Sequence, residues 1–473
     1  MAQKQHFLVV AFPTQGHINP ARALAERLAR ATPGARVTLS TAVSAHRRMF
    51  PTLASPDEEV IHDDDGAVSY IPYSDGYDLG CPLFAGDADD ARSYVEAFGR
   101  VGRHTFSAVL DRLAARGRPV TCVLYAMVMW WAAAAARERG VPRALYWIQP
   151  ATVLAVYYHY FHGYEGVVTE HAAEPGFTVA MPGLQPMAIR DLPSFITNVT
   201  DGRIAAALTD MRRTFQQLDL DAGGARKPMV LVNTVEALEA GALAAVPALD
   251  VLPVGPAVLS LLADTRTGLV GDLFQHEGKG YMEWLDTKRA RSVVYVSFGS
   301  MGAVSRRQKE EMKRGLAARG RSFLWAVRKD DGEKDDDDKD ERSMVVEWCH
   351  QVRVLSHPAV GCFVTHCGWN STLESVACGV PVVAVPQWSD QDTNARLVVR
   401  WGIGVRAAID ADRFLGAEEL TRCVESVMGD TEEGAAIRRS STAWKAKVQE
   451  ATGDGGSSAH NLRTFQDQFA NDA

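Results

Sequence analysis

One histidine early in the chain stands where a base could act on a substrate. His17 follows an apolar run, Phe7 to Phe12, and precedes a helical pattern, so we expect it on the turn that ends a first β-strand. Ligands bind at the carboxyl ends of strands in open α/β sheets. An imidazole with a pKa of about 6.5 can take a proton from an attacking hydroxyl. His17 is therefore the candidate general base, and a purely structural turn histidine is the alternative.

A second group of residues that could bind a ligand lies between Trp348 and Gln391. A strand is predicted over 362–365, and it ends in the turn His366-Cys367-Gly368 before a helix predicted over 370–377. Main-chain amides at a helix N-terminus bind phosphate, and a glycine lets the backbone approach it closely. His366 can add a hydrogen-bond donor to a phosphoryl oxygen. The pattern predicts a phosphate site at this turn.

The same helix start permits a purely structural explanation. Ser371 and Glu374 have the S-x-x-E spacing of a capping box, in which the serine caps the helix and the glutamate reaches back. Cys349, Cys362, His366 and Cys367 suggest zinc ligands only superficially, because the sequence has no C-x-x-C pair. We expect no metal site.

The elements around these residues alternate between short apolar runs and helical stretches, which predicts parallel sheets covered by helices, an α/β fold class. The alternation breaks after Val251 and restarts before 293. We predict a first domain over 1–250, a linker over 251–280 and a second domain over 281–455. A C-terminal helix of about 456–473 is expected to pack back on the first domain.

Composition narrows the functional classes. The chain has 473 residues, a net charge of −8, 47% hydrophobic and 23% charged residues, so it offers no electrostatic basis for binding nucleic acid or an anionic membrane. Val120 to Ala136 is apolar enough to consider a membrane span, but its β-rich then alanine-rich halves favour a strand and a buried helix. Seven cysteines without a C-x-x-C pair favour reduced thiols and a cytoplasmic location.

The segment 348–391 resembles the signature box of plant family 1 UDP-dependent glycosyltransferases, which ends in an Asp-Gln pair as here. The resemblance extends to Pro-Thr-Gln-Gly-His-Ile-Asn-Pro at 13–20 and to Val-Ser-Phe-Gly-Ser at 296–300. It implies the GT-B fold, with two facing Rossmann-like domains and an interdomain cleft. It places the acceptor mainly in the N-terminal domain and the UDP-sugar in the C-terminal one.

The resemblance also assigns residues to the donor. Trp348 is expected to stack on uracil, Gln351 to contact the nucleoside with Cys349 beside it, and Glu374 to bind the ribose hydroxyls. The residues expected at the pyrophosphate are Ser300, His366, Asn370 and Ser371. Those expected at the sugar are Trp369, Asp390 and Gln391. Core packing is the alternative for Trp348 and Trp369. Galactose-using relatives tend to carry His in place of Gln391, so UDP-glucose is the expected donor. No cofactor is implied.

The sequence departs from the family pattern at one catalytic position. Many members carry an Asp that hydrogen-bonds the catalytic His, and Ala126 stands there in this chain. Either another group orients His17, or the acceptor ionises easily. We predict an inverting glucosyltransferase that makes β-glucosides of small, largely apolar plant metabolites such as phenolics, flavonoids or carboxylic acids. The alternatives are a nucleotide-sugar hydrolase or epimerase and a non-catalytic UDP-sugar-binding protein. We expect a monomer.

Overall fold

The computed structural model describes residues 4–62, 67–80, 88–224, 226–257, 280–299, 305–327, 341–410 and 412–470. Two compact units divide the chain, namely Met1–Leu273 with Ala451–Ala473, and Phe274–Glu450. Ser300, expected at the pyrophosphate, and positions 258–279 of the predicted linker lie outside the described residues.

The first unit is built on a seven-stranded parallel sheet with the strand order β3-β2-β1-β4-β5-β8-β9. A separate antiparallel pair is formed by β6 and β7. The strands are β1 His6–Val10, β2 Arg36–Ser40, β3 Val68–Tyr70, β4 Cys122–Ala126, β5 Arg143–Trp147, β6 Thr178–Val179, β7 Met187–Ala188, β8 Met229–Val232 and β9 Asp250–Pro253. The helices are α1 Gln15–Ala31, α2 Val43–Met49, α3 Ala88–Ala115, α4 Trp130–Glu138, α5 Ala151–His159, α6 Glu165–Glu170, α7 Ser194–Thr197, α8 Gly202–Ala222 and α9 Glu236–Leu243.

The burial of the strands explains why their sequences are continuous apolar runs. All of Phe7 to Val10 in β1 is fully buried, as expected for a parallel sheet covered on both faces. The apolar segment 120–136 forms β4 and the start of α4, so the membrane-span alternative is wrong. Within the described residues, no helix has both the length and the hydropathy that crossing a membrane requires.

The second unit contains a six-stranded parallel sheet with the order β12-β11-β10-β13-β14-β15. Its strands are β10 Val293–Ser297, β11 Ser322–Ala326, β12 Ser343–Val346, β13 Val360–Thr365, β14 Val382–Ala384 and β15 Gly404–Arg406. Its helices are α10 Tyr281–Asp286, α11 Arg306–Ala317, α12 Gln351–Leu355, α13 Trp369–Cys378, α14 Gln391–Arg400, α15 Ala417–Met428 and α16 Glu432–Thr452, the last of which ends in the first unit.

Both sheets have a point where the strand order reverses. In the first unit β1 lies beside β4, and in the second β10 lies beside β13. In each sheet the strand that follows one member of the pair in sequence lies on one side of the pair, and the strand that follows the other member lies on the opposite side. Open α/β sheets bind ligands outside the carboxyl ends of the strands at such a reversal. His17 follows β1, and the turn at 366–368 follows β13. The predicted α/β class with two Rossmann-like sheets is confirmed.

Several predicted boundaries differ from the structure. Helix α1 begins at Gln15, so His17 lies in its first turn rather than on a turn before it. Strand β9 occupies Asp250–Pro253, which places the start of the predicted linker in the first sheet. The C-terminal helix α17, Ser457–Ala470, packs on the first unit: the Ser458 hydroxyl donates to the Gly255 carbonyl at 2.6 Å. The Phe465 and Phe7 ring centroids are 5.9 Å apart.

Candidate active site

The turn after β13 is shaped by the imidazole of His366. A Cβ atom on Gly368 would lie 2.6 Å from His366 Nε2, and one on Gly299 would lie 2.8 Å away. Both positions must therefore be glycine for the ring to occupy this place. Burial lowers the pKa of His366 to about 4, with a main-chain hydrogen bond to Ser297 opposing it. The ring is neutral near pH 7, brings no positive charge and carries a single N–H, so it donates to a phosphate only in the tautomer whose N–H is not used on the Ser297 carbonyl.

The capping box predicted for the helix start is not formed. Gly368 is the N-cap of α13, and no side chain caps it. Ser371 lies at the third helical position, two residues after Trp369, and its hydroxyl accepts from Gln351 Nε2 at 2.9 Å. Glu374 does not reach back to the N-cap either; its carboxylate accepts from the same Gln351 nitrogen at 2.5 Å. The capping-box interpretation of Ser371 and Glu374 is therefore wrong, and their roles at the donor stay predictions.

Instead, these residues form a partly buried hydrogen-bond cluster with β10. Tyr295 is 1% exposed, and its hydroxyl donates to Gln351 Oε1 at 3.2 Å. The same hydroxyl lies 3.3 Å from the sulfur of Cys349, which is also buried. Because the Gln351 oxygen accepts from Tyr295, the amide nitrogen faces Ser371 and Glu374. Burial raises the pKa of Glu374 to about 7, against the lowering effect of Gln351.

Asp390 and Gln391 stand side by side at the start of α14, and both are buried. Gln391 Oε1 accepts from the main-chain N–H of Gln387 at 2.8 Å and of Trp388 at 3.1 Å. This fixes the amide oxygen in its own loop, so a ligand would meet Gln391 through its nitrogen. Burial raises the pKa of Asp390 to about 6, and the hydrogen bond from Asn394 opposes that rise.

The two predicted tryptophans occupy different environments. Trp348 is half-buried, and its ring centroid lies 6.3 Å from that of His350 in an edge-on arrangement. Trp369 is 3% exposed and packs against Trp401, with 6.2 Å between ring centroids. Trp369 is thus packed in the second unit, and its contact with the sugar stays a prediction. Asn370, half-buried, is the second residue of α13 and lies at its amide-rich end.

The reversal point of the first unit is much less polar. His17 is half-buried in the first turn of α1, and its ring centroid is 5.3 Å from that of Phe12. Its Nδ1 atom is buried and has no hydrogen-bond partner among the described residues. Ala126, fully buried at the end of β4, supplies no polar group there. Burial lowers the pKa of His17 to about 4.

Sequence reasoning missed three residues that shape the second-unit site. They are Tyr295, Gly299 and Asn394. Tyr295 carried a usable signal, since a buried tyrosine in the middle of an apolar strand needs a hydrogen-bond partner. Asn394 carried none, because its partner Cys367 lies 27 residues earlier in the chain and the other, Asp390, caps the same helix.

Comparison with known proteins identifies the family. A family model described as "UDP-glucoronosyl and UDP-glucosyl transferase" matches residues 232–447. A chloroplastic crocetin glucosyltransferase from Gardenia jasminoides is 42% identical, over 98% of this chain and 97% of its own length. The chain belongs to this family. A phloretin 4'-O-glucosyltransferase from Malus domestica is 40% identical, over 98% of this chain and 98% of its own length. The crystal structure of an O. sativa protein in complex with UDP superposes with a TM-score of 0.78, at 30% identity, over 98% of this chain and all of the other.

Family membership confirms several predictions. The chain is a plant family 1 UDP-dependent glycosyltransferase of the GT-B fold class, and the glucosyltransferase function is supported over hydrolase, epimerase or non-catalytic alternatives. The roles of the individual site residues remain predictions. Among the described residues, no group of three or more His, Cys, Asp or Glu side chains could hold a metal ion.

Proposed function

We propose that this glycosyltransferase transfers glucose from UDP-glucose to small plant metabolites with inversion at the anomeric carbon. The observation that carries the proposal is the polar cluster at the reversal point of the second sheet. There the N-terminus of α13, neutral His366 and the Gln351–Glu374 pair lie on adjoining elements. Helix amides suit the diphosphate, and a carboxylate suits two neighbouring ribose hydroxyls.

In this proposal each donor-site residue has one role. Trp348 stacks on uracil, Gln351 and Glu374 hold the nucleoside, and His366 donates to the diphosphate. Asp390 accepts from a sugar hydroxyl, while Gln391 donates through its nitrogen, because its oxygen is held by the loop at 387–388. We expect no metal requirement, since amides of α13 and His366 supply the donors. Activity should therefore survive treatment with a chelator.

His17 is the proposed base on the acceptor. The acceptor oxygen attacks the anomeric carbon, the bond from that carbon to the diphosphate oxygen breaks, and UDP leaves with its electron pair. The acceptor proton passes to His17 when the acceptor is still protonated. Without a carboxylate partner and with its pKa lowered by burial, the imidazole is a weak base. We therefore propose an acidic acceptor, either a carboxylic acid or a phenol of lowered pKa.

The relatives support the general acceptor class. Their names refer to crocetin and phloretin, both small molecules. We propose a cytoplasmic, monomeric enzyme, although the name of the Gardenia relative places that protein in the chloroplast.

The test is a donor and acceptor panel followed by product mass and UDP release. A buried hydrogen bond left unmade costs about 1–3 kcal/mol, so kcat/KM for UDP-glucose should exceed that for UDP-galactose and UDP-glucuronate by roughly 5- to 150-fold. UDP release without any acceptor would indicate a hydrolase. Binding of UDP-glucose without turnover on any acceptor would support the non-catalytic alternative. Equal or better use of UDP-galactose would contradict the assignment of Gln391.

A further inference from the structure

A single buried amide connects the two loops that surround the proposed donor. Asn394 is fully buried in α14. Its Nδ2 atom donates to the carbonyl of Cys367 at 2.8 Å and to Asp390 Oδ2 at 2.7 Å. Both hydrogens of that nitrogen are thereby used, one on each loop.

The orientation of this amide is determined by its neighbours. Its two partners, the Cys367 carbonyl and the Asp390 carboxylate, are both acceptors, so the nitrogen must face them. Asn394 Oδ1 is then left buried with no hydrogen-bond partner among the described residues. A buried acceptor without a donor is uncommon in native proteins and disfavours the fold. Residues needed only for packing do not require such an arrangement.

The first partner belongs to the phosphate-side turn. Cys367 lies between His366 and Gly368 and has a φ of 61°, a left-handed conformation that is strained for a residue with a side chain. Such strain persists only where the surroundings hold it. The Cys367 carbonyl is held by Asn394, and its N–H lies 3.3 Å from the Thr365 hydroxyl.

The second partner is the carboxylate proposed to bind the sugar. Asp390 is buried, and the hydrogen bond from Asn394 favours its ionised form. The other charged groups near these loops are paired with each other: Asp392 accepts from Arg406 at 2.5 Å and from Arg413 at 2.9 Å. The Cys367 thiol is protonated, because burial raises its pKa far above neutrality. Hydroxyl and main-chain groups of 389–390 also face the Asp390 carboxylate.

We propose that Asn394 is a positioning residue that fixes the phosphate-side turn and the sugar-side carboxylate relative to each other, an inference that rests on the proposed donor site. It would let one side chain set the spacing between diphosphate and glucose. Asn394 contacts neither group in this scheme. It acts through Cys367 and Asp390.

Substitution of Asn394 by Asp tests this with almost no change of shape. At about pH 8 two carboxylates would face each other, and the turn would lose its donor. UDP-glucose affinity, measured by calorimetry, should fall about 10- to 100-fold relative to wild type. At about pH 5.5 a proton shared by the two carboxyls removes their repulsion and restores the bond to Asp390, though not the donor to Cys367, so the ratio to wild type should recover in part, by several-fold. Asn394→Ala should weaken binding at both pH values.

Two comparisons separate positioning from general destabilisation. UDP, which lacks the sugar, should also bind at least threefold more weakly to Asn394→Asp, because the turn is loosened, but the loss should be smaller than for UDP-glucose. Ser375→Ala removes another buried hydrogen bond of this unit, to the Val380 carbonyl, and should lower thermal stability without changing the pH dependence of binding.

The result that overturns the inference is a pH-independent loss in Asn394→Asp, or unchanged UDP affinity in that variant. Wild-type protein that does not bind UDP-glucose at all would contradict the proposed function instead. The two failures are therefore distinguishable.

Discussion

The reversal points of the two sheets differ in the number of hydrogen bonds between their polar side chains, although Asn394 Oδ1 in the second unit is also buried without a partner among the described residues. In the second unit Gln351, Ser371 and Glu374 are joined by hydrogen bonds, and Gln391 is anchored to its own loop. In the first unit His17 Nδ1 is buried without a partner among the described residues. A pre-formed hydrogen-bond network suits one invariant ligand, whereas an unpartnered group suits a site completed by its ligand.

The contrast extends along α1. Arg22, one turn beyond His17, is 2% exposed, and both terminal nitrogens of its guanidinium lack hydrogen-bond partners among the described residues. Buried charges are normally paired, because losing hydration without compensation is costly. The polar side chains at the proposed donor site are therefore mostly hydrogen-bonded to one another, whereas His17 and Arg22 in the first unit have buried nitrogens without partners among the described residues.

The largest expected effect is that of His17→Ala, and it depends on the acceptor. With a neutral alcohol or phenol, kcat should fall roughly 10²- to 10⁴-fold, the usual cost of losing a general base. A carboxylic acid, with a pKa of about 4, is already ionised near pH 7, so the same change should cost less than about tenfold. Steady-state rates on a matched phenol and carboxylic acid give the comparison.

Ala126→Asp is the complementary variant. A carboxylate at this position should stabilise the imidazolium of His17 and raise the rate on the phenol more than on the acid. If simple alcohols are the best acceptors of the wild type, the argument from Ala126 fails.

Trp348→Ala should weaken UDP binding by roughly 5- to 150-fold, because base stacking on an aromatic ring contributes about 1–3 kcal/mol. Trp284 is a matched control, a half-buried indole of the same unit whose Nε1 donates to the Glu341 carbonyl. Trp284→Ala should leave UDP affinity unchanged in the same titration. Equal losses in the two variants would remove the stacking role.

Glu374→Gln should lower UDP-glucose affinity by about tenfold near pH 8, with the loss disappearing toward pH 6. The pKa of the Glu374 carboxyl is raised to about 7, so the ionised form that accepts from ribose is lost as the pH falls. Calorimetry across this range should show a pH-dependent wild type and a flat variant. Parallel pH profiles would leave Glu374 without a role at the ribose.

Linkage gives the same substitution an opposite effect on stability. A folded-state pKa above the ordinary value stabilises the fold at low pH, and that contribution is lost as the pH rises through about 7. The melting temperature of Glu374→Gln minus that of the wild type should therefore be more positive at pH 8 than at pH 5. Melting curves without ligand measure this directly.

Arg22→Leu has the smallest expected effect on activity. Replacing a buried guanidinium whose two terminal nitrogens have no partner in the described part of the chain with an apolar side chain should raise the free energy of unfolding by about 1–3 kcal/mol. Turnover should stay within about twofold of wild type. Chemical denaturation measures this free energy of unfolding, and a destabilised variant would show that Arg22 has a partner in solution.

The fold was largely predictable because parallel strands buried on both faces leave continuous apolar runs in a sequence. β1, β10 and β13 were found this way. The errors lie at boundaries: α1 starts at Gln15 although His17 was expected on a turn before the helix, and most of β9 was assigned to the linker. A strand that ends in proline at a sheet edge gives a weak local signal.

The donor site was predictable only as a set of residues. The spacing of Ser371 and Glu374 equally favoured a capping box, and the choice was made by Gln351, a residue twenty positions earlier in the chain. Likewise, nothing local to Trp369 distinguished a sugar contact from packing on Trp401. Hydrogen-bond and packing partners that are distant in the chain leave no periodic pattern in the local sequence.

The last helix of the described chain has a consequence for protein synthesis. α17 covers the first sheet: Asn461 donates to the Pro253 carbonyl at 2.9 Å, and Gln466 donates to the Leu28 carbonyl at 3.3 Å. Domains commonly fold in order as a ribosome produces them. Here the unit that begins first is completed last, so its sheet remains partly uncovered while all of Phe274–Glu450 is translated. Nascent chains stalled before residue 457 should expose this surface to chaperones, although the whole sequence of their second unit has been translated.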